Sequence, residues 1–147
     1  MFRPIVPSDR ETVIALMKDF YHSPAVLHPV PEENFSKTVD LVLAGSPYAD
    51  AYLFESDGKT AGYALTAKTY SNEAGGLVLW LEEAYILPAF RGKGMGGAFL
   101  EFLAKEYPEE VARIRLEVSD ENTDAVRLYR RAGYRDLDYR QMFLDFA

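Results

Sequence analysis

The chain contains no cysteine and only two histidines, His22 and His28. The first absence removes disulfides, thiolate metal sites and any cysteine nucleophile. The second leaves too few imidazoles for a histidine-rich metal centre, so no metal is expected. Long apolar runs are missing as well. Nothing approaches the roughly 20 residues of a membrane span, and the opening MFRPIVPSDRE lacks the apolar centre of a secretory leader. A cytoplasmic protein with no membrane partner is the expectation. Basic residues are in the minority, 16 against 23 acidic ones, for a net charge of −7. Nucleic-acid binders carry a basic face, so no nucleic-acid partner is expected. The acidic balance suits a cationic small substrate.

What is present describes an ordinary globular chain. Its 147 residues are 48% hydrophobic and 27% charged. That length fits one domain, residues 1–147, burying about two-thirds of its unfolded surface. Repeats, low-complexity segments and linkers are absent from the sequence.

An apolar piece, Met1 to Val6, precedes SDRE, where Ser8 and Glu11 have the spacing of a capping box. Val13, Leu16, Met17 and Phe20 then recur as the stripe of an amphipathic helix. YHSPAVLHPVP reads as a loop. PEENFSKTVDLVLAG reads as a second helix, with Pro31 in its first turn, Phe35, Thr38, Val39 and Val42 as its stripe and Gly45 at its end. Strands are expected at Ala51 to Ser56 and Ala61 to Tyr70, joined through the hairpin signal Asp57-Gly58. The run GLVLWLEEAYI, Gly76 to Ile86, reads as a central strand. A helix at 94–107 follows, with Ala98, Phe99, Phe102 and Leu103 toward the core. Val111 to Ser119 alternates as a strand, with Ile114, Leu116 and Val118 on one face. A last helix starts near Asn122, buries Ala125, Leu128, Tyr129 and Ala132, and closes at Gly133. QMFLDFA reads as a final strand. The expected class is therefore α/β (α+β): a mixed central sheet flanked by about four helices. The crossover from strand 76–86 through helix 94–107 to strand 111–119 would be parallel.

Between Pro88 and Leu103 runs PAFRGKGMGGAFLEFL, with glycine at 92, 94, 96 and 97. The first amides of a helix lack internal partners and carry the positive end of its dipole. Small residues there let an anion approach, and Arg91 and Lys93 add cationic donors. The same residues are also compatible with a plain strand-to-helix turn. Gly92, Gly94 and Gly97 further satisfy the dinucleotide fingerprint G-x-G-x-x-G, with Glu117 in the range of a ribose-binding acid. Against that, the unit lies late in the chain and there is no second mononucleotide half. GxxxxGK[ST] is absent, which removes a P-loop.

Arg91, Gly94 and Gly96 resemble the [Q/R]-x-x-G-x-[G/A] signature of the GCN5-related N-acetyltransferases (GNAT). The segment follows an acidic strand end, LEEAYILP, and precedes a helix, as in that family. LEVSDENTDAVRLYRRAGY resembles the family's later strand and helix through Asn122, Ala125, Leu128, Tyr129, Gly133 and Tyr134. The acidic pair Glu82-Glu83 is similar to that of the diamine and polyamine acetyltransferase-like branch.

The resemblance implies the acyl-CoA N-acyltransferase fold and acetyl-CoA as cosubstrate. It implies that amides around Gly92, Lys93, Gly94, Met95, Gly96 and Gly97, with Arg91, hold the CoA pyrophosphate. Ala84, Tyr85 and Ile86 would pair with the pantetheine arm, and Asn122, Ala125 and Tyr129 would lie beside it. The backbone N–H of Ile86 or Leu87 would serve the oxyanion. Tyr129 is the candidate acid for the departing thiolate; by spacing it also completes an apolar stripe. Glu82 is the candidate base, since partial burial at a strand end raises a carboxyl's proton affinity, and Glu83 is the alternative. Alternation puts the two on opposite faces unless a bulge intervenes. Tyr21, His22 and His28 are candidates to line an acceptor pocket, or else loop packing. The expected activity is direct acetyl transfer to a primary amine of a small molecule, polyamine-like in the finer reading. A non-catalytic acyl-CoA-binding module and a small nucleotide-binding oxidoreductase are the alternatives. The family also admits a homodimer, to which the C-terminal strand could contribute; the sequence does not decide it.

Overall fold

The computed structural model describes residues 1–107 and 109–146. Strand β1 (Phe2–Pro4) leads through a 3-10 turn at Pro7–Asp9 into helices α1 (Arg10–Tyr21) and α2 (Glu33–Leu43). Strands β2 (Ala49–Ser56), β3 (Lys59–Ser71) and β4 (Gly76–Ile86) follow, then a 3-10 turn at Pro88–Phe90. Helix α3 (Met95–Glu106), strand β5 (Val111–Leu116) and helix α4 (Thr123–Arg131) complete the order. The five strands lie in sequence order, β1 to β4 antiparallel and β4 to β5 parallel. This is the mixed sheet and the single parallel crossover that the sequence predicts.

The sheet has an apolar layer on each face. Alternation along β2 shows it directly. Ala51 and Leu53 pack with Val13, Met17, Phe35 and Val39 of α1 and α2. Tyr52 and Phe54 pack with Phe99, Leu100 and Leu103 of α3. Asp57 at φ 51° and Gly58 at φ 74° supply the two left-handed residues that a tight hairpin needs between β2 and β3.

Several local expectations are corrected. Ser8 does not cap α1. Asp9 stands at the N-cap position, yet its side chain caps nothing in α1: its carboxylate turns back to accept the Val6 N–H at 2.8 Å and the Arg3 guanidinium at 2.8 and 3.0 Å. In α3 Ala98, expected toward the core, is exposed, and Leu100 is buried. Ala132 is exposed and α4 has no fully buried residue, so its apolar face is only half covered. The strand expected over QMFLDFA does not form at 141–146, and Ala147 lies outside the described residues.

Gly62 sets the spacing of β3 and β4 near the end of the sheet. A Cβ there would lie 2.1 Å from the Tyr85 carbonyl oxygen, a backbone atom that cannot step aside. Gly62→Ala is expected to destabilise the fold by about 3 kcal/mol. Chemical denaturation of the variant against wild type measures it.

Candidate active site

The strands β4 and β5 pair only as far as Leu81 opposite Leu116. Beyond that point β4 continues to Ile86 with β3 alone as neighbour. A bulge marks the separation: Leu65 pairs with Glu83 and Thr66 with Leu81, so Glu82 is the extra residue. Leu87 N–H donates to Ala61 C=O at 2.8 Å, which fixes the alternation of the β3–β4 ladder. By that alternation Tyr85 exchanges bonds with Tyr63, and the amides of Ala84 and Ile86 point to the open edge. Leu87 N–H is therefore spent, and of the two candidate oxyanion donors only Ile86 N–H faces the opening.

The bulge also decides what the two acids do. Glu83 turns toward α1. It accepts the hydroxyl protons of Tyr21 at 2.5 Å and Tyr63 at 2.7 Å. Burial raises its proton affinity, and the two phenols partly offset that. Glu82 stands on the opening. Its carboxyl is raised by desolvation first, then by Glu117 and Glu83. Glu117 directly follows the last residue of β5, near enough to Glu82 for its charge to raise that carboxyl's proton affinity.

At the other side of the opening, Gly92 at φ 75° and Gly94 at φ 78° hold a left-handed backbone that side chains other than glycine disfavour. A Cβ at either would meet nothing within 4 Å, so both face open space. The first bond of α3 runs from Ala98 N–H to Gly94 C=O, leaving the amides of Met95, Gly96 and Gly97 without helical acceptors. Gly96 has a packing role too, since a Cβ there would sit 3.0 Å from Leu128 Cδ2. It lets α3 and α4 approach closely. Arg91 donates through Nε to Ile86 C=O at 2.8 Å and lies over the Tyr85 ring at 5.5 Å, tying the glycine loop to the end of β4. Lys93 lies over Phe90 at 5.7 Å.

Asn122 caps α4 by accepting the Ala125 N–H at 3.4 Å. Tyr129 packs against the α3 side of the core and faces Tyr134 with ring centroids 5.8 Å apart. Burial raises its pKa, so the phenol keeps its proton at neutral pH. His22 and His28 are exposed after α1; the His22 backbone N–H donates to Lys18 C=O at 3.1 Å, and among the described residues neither imidazole has a hydrogen-bond or ion-pair partner. Of the three loop candidates, only Tyr21 is tied to the acidic cluster.

Two participants are not visible in the sequence alone. Tyr63 is one: only the β3–β4 register carries it to Glu83, although a buried tyrosine hydroxyl always requires a partner. Glu117 is the other. As a ribose-binding acid it would sit beside a nucleotide, but here its charge acts on Glu82.

Comparison with known proteins follows the same lines. Residues 13–134 match the model of the Acetyltransferase (GNAT) family. The thialysine N-epsilon-acetyltransferase of Mus musculus is 35% identical over 94 residues, covering 63% of this chain and 55% of that protein. That of Sus scrofa is 36% identical over 77 residues, covering 52% and 45%. The chain thus spans about half the length of the curated relatives it matches. Among solved structures, a ribosomal-protein-alanine N-acetyltransferase from Brucella melitensis superposes with a TM-score of 0.77 at 16% identity, over 99% of each chain. An aminoglycoside N-acetyltransferase in complex with CoA gives 0.80 at 16% identity, over 100% of this chain and 95% of that one. The family match runs from α1 to beyond α4 and takes in the bulge, the glycine loop and Tyr129: the chain belongs to the GNAT acetyltransferase family.

Proposed function

We propose that residues 1–147 form one acetyl-CoA-dependent N-acetyltransferase domain acting on a primary amine of a small cationic molecule, polyamine-like in the finer reading. The observation that carries this is the unpaired edge of β4 from Glu82 to Ile86, opening beside the free amides at the start of α3. The two relatives named for N-epsilon-acetylation of thialysine support a small acceptor amine.

The residues present fit CoA. Two glycines face open space with nothing for a Cβ to meet, and the neighbouring amides lack acceptors. Gly92 to Gly97, with Arg91 and Lys93, would hold the pyrophosphate. Ala84 and Ile86 would offer backbone groups to the pantetheine arm, and Asn122 and Ala125 would flank it. When bound, acetyl-CoA supplies the acetyl group as an activated thioester.

The chain's own work is proton management. An amine attacks only when neutral, so its ammonium proton must leave first. Glu82 takes it, directly or through one water. Its raised proton affinity brings it closer to the amine than an ordinary carboxylate. Glu83 keeps Tyr21 and Tyr63 in place and adds negative charge for a cationic acceptor. Ile86 N–H donates to the acetyl oxygen as charge builds there. Tyr129 delivers its hydroxyl proton to the sulfur as the carbon–sulfur bond breaks, and the second proton, shed by the nitrogen as the amide forms, restores the phenol through water. No cysteine can hold the acetyl group between half-reactions, so both substrates bind before chemistry.

Tyr129→Phe is expected to lower kcat about a hundredfold with acetyl-CoA affinity unchanged. A rate equal to wild type removes Tyr129 from the mechanism, and no turnover on any amine in wild type favours a binding module instead.

Activity is expected to fall with acidity as Glu82 becomes protonated. Because its pKa is raised, that limb lies above the ordinary glutamate value of about 4.3. Glu82→Gln should flatten the limb in a kcat/KM pH profile and cut the plateau about a hundredfold. A limb that survives the substitution assigns it to another group.

Gly94→Ala and Gly94→Glu separate backbone strain from ligand contact. The alanine variant costs about 1 kcal/mol through its left-handed φ alone and retains binding of acetyl-CoA. The glutamate variant places charge where phosphate belongs and loses binding in calorimetric titration. Equal affinities for the two would refute the phosphate cradle.

A further inference from the structure

The face of β4 and β5 that carries the acids also carries a cation with no anion to hold. The last pairs before the strands part are Trp80 opposite Arg115 and Leu81 opposite Leu116. Leu81 and Leu116 join the apolar layer on the α3 side of the sheet. Alternation therefore turns Trp80, Arg113, Arg115 and Glu117 to the other face, the one from which Glu83 meets Tyr21 of α1.

Arg115 is fixed there by a ring. Its guanidinium lies over Trp80, 4.1 Å from the centroid. The indole is itself held, since its Nε1–H donates to Thr69 Oγ1 at 3.2 Å. Stacking of this kind orients an arginine and leaves its N–H fork unused. Among the described residues the Arg115 side chain has no hydrogen bond and no ion pair. The arginine two positions back is occupied: Arg113 meets Glu73 Oε1 at 2.8 Å, and Glu73 Oε2 takes the Tyr139 hydroxyl at 2.7 Å. Glu73 feels the charge of Arg115, but both its oxygens are already engaged. A partly covered guanidinium without an anion gives up hydration and recovers little of it.

Charge along this face changes sign. Toward the opening stand Glu82, Glu83 and Glu117; behind them, level with Trp80, stands Arg115. Glu82 keeps its raised proton affinity, so the cation behind does not cancel the acids in front. The step from Trp80 to Glu82 is two positions of a strand, roughly 7 Å. A ligand with a positive end at the acids and a negative end several bonds away matches that pattern. The planar fork of an arginine suits a carboxylate, which it grips through both oxygens.

We propose that Arg115 is a specificity-determining residue of the acceptor site: held flat on Trp80, it binds a carboxylate at the far end of an acceptor whose amine reaches Glu82. The preferred acceptor is then an amino acid acetylated on its side-chain nitrogen. This rests on the acetyl-transfer reading above and adds one anionic group to its small cationic acceptor.

The test measures kcat/KM of the full chain on acceptors that differ in that group alone. L-Lysine and L-ornithine carry the carboxylate; cadaverine and putrescine are the same chains without it. The amino acids should exceed their diamines by about tenfold to a hundredfold, and the products should carry the acetyl group on the side-chain nitrogen. Arg115→Met keeps bulk against Trp80 and removes the charge. It should bring the ratio of amino acid to diamine close to one, through KM rather than kcat. A merely structural role would lower both sets together and leave the ratio intact. If that variant fails to fold, the wild-type comparison still decides, and Arg115→Lys, which keeps the charge without the fork, should lose part of the ratio. Diamines equal to or better than the amino acids overturn the proposal and leave acetyl transfer standing. So does a ratio unchanged in Arg115→Met, or acetyl on the α-nitrogen, which would set the carboxylate among the acids. Absence of turnover on every amine removes the acetyl-transfer reading and this proposal together.

Discussion

The separation of β4 from β5 after Leu81 is the constraint from which the rest follows. Two parallel strands that stay paired leave no opening, and two that part expose a row of backbone groups that must find other partners. The bulge at Glu82 makes the parting local. It bends β4 away, keeps its ladder with β3 intact, and turns two adjacent acids to different tasks. The bare edge is then bordered by the glycine loop, which Arg91 ties back to Ile86. Gly96 lets α4 come close enough to bring Tyr129 to the same region.

Electrostatics at this opening are dominated by desolvation. Glu82 and Glu83 both bind protons more tightly than free carboxylates, and burial is the first cause for each. Their neighbours differ. Glu83 is held by two phenols that stabilise its charge, while Glu82 has two other acids near it that destabilise its own. A carboxyl whose charge is disfavoured is a better acceptor of a proton near neutral pH than one that is already satisfied. The same burial keeps the proton on Tyr129, so an acceptor and a donor of protons coexist within one fold.

Much of the fold was legible in the residues. Hydrophobic patterning placed the four helices and strands β2 to β5, because each element must bury at least one face and its apolar residues follow that demand, while the strand expected over QMFLDFA does not form at 141–146. The Asp57-Gly58 turn was legible because few residues tolerate its dihedrals. Errors came where packing rather than pattern decides. Leu100 is buried and Ala98 is not, since a small residue fits either face of α3. Ser8 does not cap α1, because the turn before the helix is held by Asp9, whose carboxylate meets the Val6 N–H and Arg3 of β1. The tail has the composition of a strand, but residues 141–146 pair with no edge of the sheet.

By itself, the sequence determined the chemistry on offer: no thiol, a glycine-rich helix start, an acidic pair at a strand end, and a tyrosine on the last helix. These are local facts, carried by neighbours in the chain. Tertiary structure decided which acid faces the opening, because a single bulged residue reverses the order of the faces beyond it. It also joined Tyr21 and Tyr63 to Glu83, across separations of 62 and 20 residues, and brought the charge of Glu117 to bear on Glu82. Register between strands is a property of the folded sheet, set by the packing of both faces at once, and no local pattern contains it.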